Sequence, residues 1–275
     1  MSLFQAFILG IIQGLTEFLP VSSSAHLVIV PYLFGWSFPA EQILPFDTLV
    51  QLGTLAAVIL YFWRDLWQII QAFVRGLVTL KPFADPHARL GWMLILATIP
   101  AGVFGLLTKK AVDQAFQSVA LTAFFLLVTA ALLLVGERLG KRRRQAESMG
   151  WLDALWMGMG QAISIFPGIS RSGATMSVGL LRDLDRPAAA RFSFMLSIPV
   201  MLAAGAVELK DVFVIPGLSG LLPAIAVGFV AAVVVGYVSI RWMLNFVTQH
   251  SLRIFAVYCA AVGLLILVLY VVFPR

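Results

Sequence analysis

Two polar, helix-breaking runs interrupt an otherwise apolar chain: Gln13-Gly-Leu-Thr-Glu-Phe-Leu-Pro-Val-Ser-Ser-Ser-Ala-His26, and Pro167-Gly-Ile-Ser-Arg-Ser-Gly-Ala-Thr175. A charge inside lipid costs about 2.5–3.5 kcal/mol on insertion scales, so such residues normally mark a site. In the second run Arg171 is flanked by Ser170 and Ser172, with Thr175 one helical turn on and Gly168 allowing close backbone approach. This pattern suits a phosphate clamp, in which a planar guanidinium binds two oxygens and hydroxyls share the remaining lone pairs. The blander reading, an arginine snorkelling to the interface, fits poorly with a Pro-Gly break in a stretch uncharged on either side of Arg171 from Ala154 to Leu181.

In the first run Gln13 and Glu17 share a helix face, and Gly10 and Gly14 offer a second face for a closely approaching helix. Glu17 therefore reads as a buried carboxylate, although hydrogen bonding to a broken helix end would also occupy it. Ser22, Ser23 and Ser24 followed by His26 read as an N-cap and first helical turn. Capping accounts for one serine. Three hydroxyls and an imidazole at a helix N-terminus also form an anion site, where free amides and the dipole favour negative charge. The chemistry predicted is the holding of an anionic group, with the role of Glu17 left open.

The elements that must position these groups are membrane helices. The chain is 61% hydrophobic and 12% charged over 275 residues, far more apolar than a soluble domain. Runs long enough to cross a bilayer occur near 46–63, 90–107, 118–136, 190–209, 218–240 and 252–273. Two more, 3–35 and 151–181, are broken at Pro20 and at Pro167-Gly168. The predicted fold is an all-α polytopic membrane protein with six transmembrane helices and two re-entrant helix pairs. Irregular backbone at membrane depth must be buried in protein or line a watery cavity, so the two breaks are expected to meet. An amphipathic segment, 65–80, is expected along the interface.

A shift of 148 residues places Gln13 on Gln161, Thr16 on Ser164, Phe18 on Phe166, Ser22 on Ser170 and Ser24 on Ser172. At a shift of 146, Phe46 falls on Phe192 and Arg64-Asp65 on Lys210-Asp211. This predicts an internal duplication within one membrane domain: a first repeat over 1–136, a basic cytoplasmic linker over 137–150 and a second repeat over 151–275. Lys and Arg crowd one side of the six-span arrangement, above all Arg138 to Arg144, leaving Lys109, Lys110 and Lys210 in the opposite loops. The crowded side is the cytoplasm by the positive-inside rule, which puts both termini outside and makes the repeats inverted.

The net charge of +6 follows from this loop bias, and no soluble basic domain suggests a nucleic-acid partner. Cys259 is the only cysteine, which excludes a disulfide framework or a Cys-based metal site. The first basic residue is Arg64, so no signal peptide is expected and the N-terminal apolar stretch is expected to stay in the protein. Oligomeric state is not determined by these patterns.

The two runs resemble the bacterial undecaprenyl-pyrophosphate phosphatase family, also called the bacitracin-resistance family. Its hallmarks are Glu/Gln-x-x-x-Glu followed by Pro-Val-Ser-Ser, and Pro-Gly-x-Ser-Arg-Ser-x-x-Thr. This chain carries Gln13 to Glu17 with Pro20 to Ser23, and Pro167 to Thr175. The resemblance implies hydrolysis of undecaprenyl pyrophosphate, recycling the carrier lipid of cell-wall synthesis in the bacterial cytoplasmic membrane, at a site open to the outer face. It implies catalytic roles for Glu17, Ser23, His26 and Arg171; the nucleophile is then either Ser23, activated by His26 or Glu17, or His26 itself, and the residues leave that choice open. Gln13, Ser22, Ser24, Gly168, Ser170, Ser172 and Thr175 are the expected pyrophosphate-binding residues. A divalent cation, magnesium or calcium, is also implied, with Glu17 as its expected ligand, but Gln13 leaves one carboxylate fewer than Glu at that position would. The rival reading is a transporter or flippase for an anionic lipid or small anion, since inverted repeats with broken helices recur in transporters.

Overall fold

In a computed structural model, described here over residues 1–212 and 218–272 apart from the side chains of Ala40, Glu41, Leu44, Asp113 and Asp211, eleven α-helices account for most of the chain. No named strand occurs among the described residues. The helices are α1 (Leu3–Phe18), α2 (Ser23–Phe34), α3 (Ala40–Tyr61), α4 (Trp63–Val78), α5 (Pro86–Phe116), α6 (Val119–Leu139), α7 (Trp151–Ile163), α8 (Arg171–Leu181), α9 (Arg186–Val212), α10 (Leu218–Gln249) and α11 (Arg253–Val272). The last residue of the span expected over 252–273, and the Asp211 side chain aligned with Asp65, lie outside the described residues.

Local signals explain where the helices start and stop. Ser2 and Gln5 cap α1 reciprocally. That helix ends at Phe18, because Leu19 precedes Pro20 and takes an extended conformation. Gly35, in the left-handed region at φ 62°, closes α2. Asp85 caps α5 ahead of Pro86, accepting the His87 N–H at 2.8 Å. That bond holds its carboxyl below the usual range.

Five helices, α5, α6, α9, α10 and α11, are long and apolar enough to cross a membrane. The pair α3 and α4 supplies a sixth apolar stretch, bent by 76° at Phe62. The chain is thus a multi-pass membrane protein. Beyond the bend, α4 shows Trp67, Ile70 and Val74 outward while burying Ile69, Ala72 and Gly76. The remaining four helices are short: 16 residues in α1, 12 in α2, 13 in α7 and 11 in α8. At about 1.5 Å per residue none reaches the roughly 30 Å of hydrocarbon.

Packing follows small residues, as expected where lipid removes any hydrophobic drive between helices. Helix α1 lies against α10, and a Cβ built on Gly10 would sit 2.4 Å from the Gly228 carbonyl oxygen. Helix α7 lies against α5, where a Cβ on Gly158 would sit 2.4 Å from the Ala97 carbonyl oxygen. Between these seams Phe18 meets Phe194 edge-on at 5.4 Å, both nearly inaccessible.

At one end, two buried carboxylates gather the arginines. Glu137 accepts from Arg142 at 2.9 Å, from Arg186 at 2.7 Å and from the Leu252 N–H at 2.8 Å. Asp153 accepts from Arg144 at 2.6 Å and Arg182 at 2.9 Å. Backbone bonds between Arg144 and both Asp183 (2.9 Å) and Asp185 (2.7 Å) complete the clasp. The basic segment after α6 is therefore tied to the α8–α9 turn. Removing one partner of a buried ion pair costs about 3–5 kcal/mol, so Glu137→Ala should lower the thermal unfolding midpoint in detergent markedly. A midpoint equal to that of the parent chain would show that the clasp adds no stability.

Candidate active site

The break after α1 and the break before α8 come together. Glu17 lies in the last turn of α1, and Arg171 is the first residue of α8. Arg171 Nη2 donates to Glu17 Oε1, joining the halves of the chain through one ion pair. The other carboxylate oxygen, Oε2, accepts from Ser23 Oγ at 2.5 Å and from Gln13 Nε2 at 3.0 Å. Gln13 also donates to Thr54 at 3.4 Å. Arg171 Nη1 reaches the Ser197 carbonyl at 3.4 Å, which leaves further guanidinium N–H groups for an incoming anion.

The first break is shaped by Ser22, a non-glycine residue at φ 70°. Such a conformation costs about 1–3 kcal/mol and persists only when its surroundings over-determine it. Here its Oγ accepts from the Ala25 N–H at 3.4 Å and pairs with Ser24 Oγ at 3.2 Å, while its carbonyl meets His26 Nδ1 at 2.8 Å. A carbonyl only accepts, so Nδ1 carries a proton. His26 Nε2 lies 2.8 Å from the Tyr258 hydroxyl, and the two rings stack with centroids 5.8 Å apart. In neutral His26, Nε2 accepts that hydroxyl proton. The imidazole thus faces α11 and makes no hydrogen bond to Ser23.

The second break turns on Gly168, at φ 103°, where a Cβ would lie 2.3 Å from the Thr122 carbonyl oxygen. Thr129 holds this turn, donating to the Gly168 carbonyl at 2.8 Å and accepting the Ser170 N–H at 2.9 Å. Ser170 caps α8 by accepting the Gly173 N–H at 3.1 Å and pairs with Ser172 Oγ at 3.2 Å. Two bonds join the breaks directly: Gly168 N–H to Ser24 Oγ at 3.4 Å, and Ser172 Oγ to the Leu19 carbonyl at 3.1 Å. Thr175 donates to the Arg171 carbonyl at 2.7 Å and lies 2.5 Å from Ser193 Oγ.

A cavity of about 270 Å³ opens beside the ion pair, bordered by Glu17, Ser22, Ser23, Ser24, Ser170 and Arg171. The N-terminal ends of α2 and α8 therefore both meet it. Gln13, His26, Gly168, Ser172 and Thr175 do not border it and stand behind its wall, where they hold the groups that do. Thr16, Gln51, Gln161, Ser164 and Glu208 complete its polar lining. The motif reading named none of these five as site residues, although the 148-residue shift pairs Gln161 with Gln13 and Ser164 with Thr16; Thr129 and Tyr258 lie in apolar helices without a local sequence signal.

At Glu17 a cation would meet a single carboxylate whose two oxygens already accept from protein donors; its motif partner is the neutral Gln13, and no cluster of three His, Cys, Asp or Glu residues occurs among the described residues. What the arrangement offers is a serine hydroxyl aimed at a carboxylate, a guanidinium with donors to spare and two helix N-termini. Together they suit transfer of an anionic group.

Comparison with known proteins gives a consistent result. Residues 6–265 match the family described as "Bacitracin resistance protein BacA". An "Undecaprenyl-diphosphatase" of Chlorobium phaeovibrioides is 43% identical, with 98% of this chain and 97% of the relative aligned. Proteins of the same name are 42% identical in Thermomicrobium roseum, over 100% of both chains, and 39% identical in Methanosphaera stadtmanae, over 99% of both.

Glu17→Ala would strand Arg171 as an uncompensated buried charge, a change worth about 3–5 kcal/mol. Its thermal midpoint in detergent should fall well below that of Ser23→Ala, which removes one hydroxyl from the same oxygen. Equal midpoints for the two variants would contradict the ion pair as a structural joint.

Proposed function

The chain belongs to the bacitracin resistance protein BacA family, and from that premise we propose that it hydrolyses undecaprenyl pyrophosphate to undecaprenyl phosphate and inorganic phosphate. The observation that carries the reading is the convergence of Ser23, Glu17 and Arg171 on one cavity between two broken helices. At about 270 Å³ the cavity admits a diphosphate headgroup, and the polyprenyl chain stays among lipid and the apolar helix faces.

In the proposed mechanism Arg171 keeps one N–H on Glu17 and turns the others toward the terminal phosphoryl oxygens, assisted by Ser170 and the N-termini of α2 and α8. Ser23 Oγ attacks the terminal phosphorus as its proton passes to Glu17 Oε2. The bond to the bridging oxygen breaks and polyprenyl phosphate leaves. Glu17 hands that proton to the departing phosphate and, ionised again, takes one from the water that attacks the phosphoserine; it then returns this proton to Ser23 Oγ as inorganic phosphate is released. What favours Ser23 over His26 as nucleophile is its 2.5 Å contact with Glu17 and its place on the cavity wall, whereas both imidazole nitrogens have partners on Ser22 and Tyr258. His26 then acts by holding Ser22. No step is routed through magnesium or calcium, because either would meet at Glu17 a single carboxylate whose oxygens already accept from protein donors.

The proposal extends to membrane topology: six spans with α1–α2 and α7–α8 as re-entrant pairs, in inverted repeats over 1–136 and 151–275. Their lengths support it, and so does an exchange in the packing. Gly10 and Gly158 are 148 residues apart, and each lets its short helix touch the backbone of a long helix from the other half. The arginines clasped by Glu137 and Asp153 lie together at one end, which suits a cytoplasmic face in the bacterial inner membrane, with both termini and the site opening outside.

Purified protein in detergent should release phosphate from undecaprenyl pyrophosphate, and Arg171→Ala should lower turnover by roughly a hundred- to a thousandfold. Activity within about threefold of the parent chain would remove Arg171 from the charge-stabilising role. A phosphoenzyme trapped in His26→Ala and absent from Ser23→Ala would identify the serine as nucleophile. The reverse pattern would transfer that role to His26.

A further inference from the structure

Gln161 is buried, with 2% of its surface exposed, and forms part of the cavity wall. Neither Nε2 nor Oε1 of its side chain has a hydrogen-bond partner among the described residues. Leaving two buried amide groups unmade is costly, and native side chains rarely tolerate it without a ligand or water to complete them. Among the described residues, Trp92, Thr122 and Ser239 carry the other unpartnered buried side-chain atoms, and none of them borders this cavity.

The counterpart in the first half shows what is missing. Gln13 lies 148 residues earlier and donates to Glu17, four positions on, at 3.0 Å. Four positions after Gln161 stands Ile165. One half supplies its glutamine with a carboxylate, whereas the other leaves an equivalent carboxamide beside the cavity without an anion. A carboxamide donates two N–H bonds and accepts at oxygen. A hydrated diphosphate meets both needs, with phosphoryl oxygen for Nε2–H and hydration water for Oε1.

We propose that Gln161 is a further substrate-binding residue, whose Nε2 donates to a phosphoryl oxygen of the pyrophosphate headgroup. The inference rests on the phosphatase reading and adds α7 to the elements that grip the substrate. The headgroup is then held from both halves of the chain by neutral as well as charged donors. The anion replaces, in the second half, the carboxylate that Gln13 finds in the first.

The test uses full-length Gln161→Leu and Gln161→Glu in detergent, with farnesyl pyrophosphate as a soluble probe. Gln161→Leu should raise KM about tenfold, the scale of one lost bond to a charged group. Its thermal midpoint without ligand should equal or exceed that of the parent chain, because an unpaired amide has been replaced by an apolar side chain of similar size. Gln161→Glu, which presents a negative charge to the anion, should raise KM further. A kcat and KM within about twofold of the parent for Gln161→Leu, or a lowered midpoint with unchanged KM, would overturn the proposal and leave the phosphatase reading intact. Should the parent chain release no phosphate, the upward shift of its midpoint by farnesyl pyrophosphate is the readout. A shift in the parent that Gln161→Leu loses supports the contact, and an equal shift or none in either chain overturns it.

Discussion

The pairing of Glu17 with Arg171 is the interaction on which the rest of this structure depends. Neither charge could be held at membrane depth alone, and each lies at a helix end where a proline or glycine has opened the backbone. Two apolar half-chains must therefore bring their broken ends to one place. Once there, the carboxylate still has an oxygen to orient Ser23 and Gln13, and the guanidinium still has donors for a substrate. The same contact serves as structural joint and, in the proposed mechanism, as reactive centre. A buried pair is costly to assemble and more costly to break, which makes it a poor source of net stability and a strong selector of one geometry.

Around that joint, the helix breaks supply what continuous helices cannot. A transmembrane helix satisfies its backbone groups internally and offers an anion nothing. Stopping α1 at Phe18 and starting α8 at Arg171 exposes helix ends, and Thr129, Ser24 and Ser172 then fasten the opened backbone so that it needs no water from the bilayer. Several hydroxyls in the two runs thus hold the breaks in shape. Ser23 alone among them donates to Glu17. The small residues at Gly10 and Gly158 let the short helices sit close enough to their long neighbours for the two ends to meet.

At the far ends of α7 and α8 the same logic runs without a proposed site. Glu137 and Asp153 are almost fully buried and pair with two arginines each, so residues that count toward the positive-inside bias are also the counterions of the fold. The charge cluster after α6 reads in sequence as a basic cytoplasmic linker. Its contacts show that Arg142 and Arg144 reach back to close α6 and α7 against the α8–α9 turn.

Much of the architecture was legible in the sequence because lipid imposes one rule everywhere: apolar runs of sufficient length become helices, and polar breaks within them must be sheltered. The helices α5, α6, α9, α10 and α11 therefore fall where hydropathy puts them, and Pro20 and Pro167-Gly168 mark the breaks. Residue type also singled out Glu17, Ser23 and Arg171, since few side chains of that kind have any other reason to lie among apolar helices. Which groups face one another was decided only by tertiary structure. His26 and Ser23 are three residues apart, yet the imidazole turns to Tyr258 on α11 while the hydroxyl turns to Glu17. Thr129 and Tyr258 look like ordinary polar residues in apolar helices until packing brings a distant turn or ring beside them, and Gln161, though it falls on Gln13 at the 148-residue shift, gains its place on the cavity wall only by packing. Hydropathy and spacing act along the chain, whereas a hydrogen bond depends on direction across it, and direction exists only after the helices have packed.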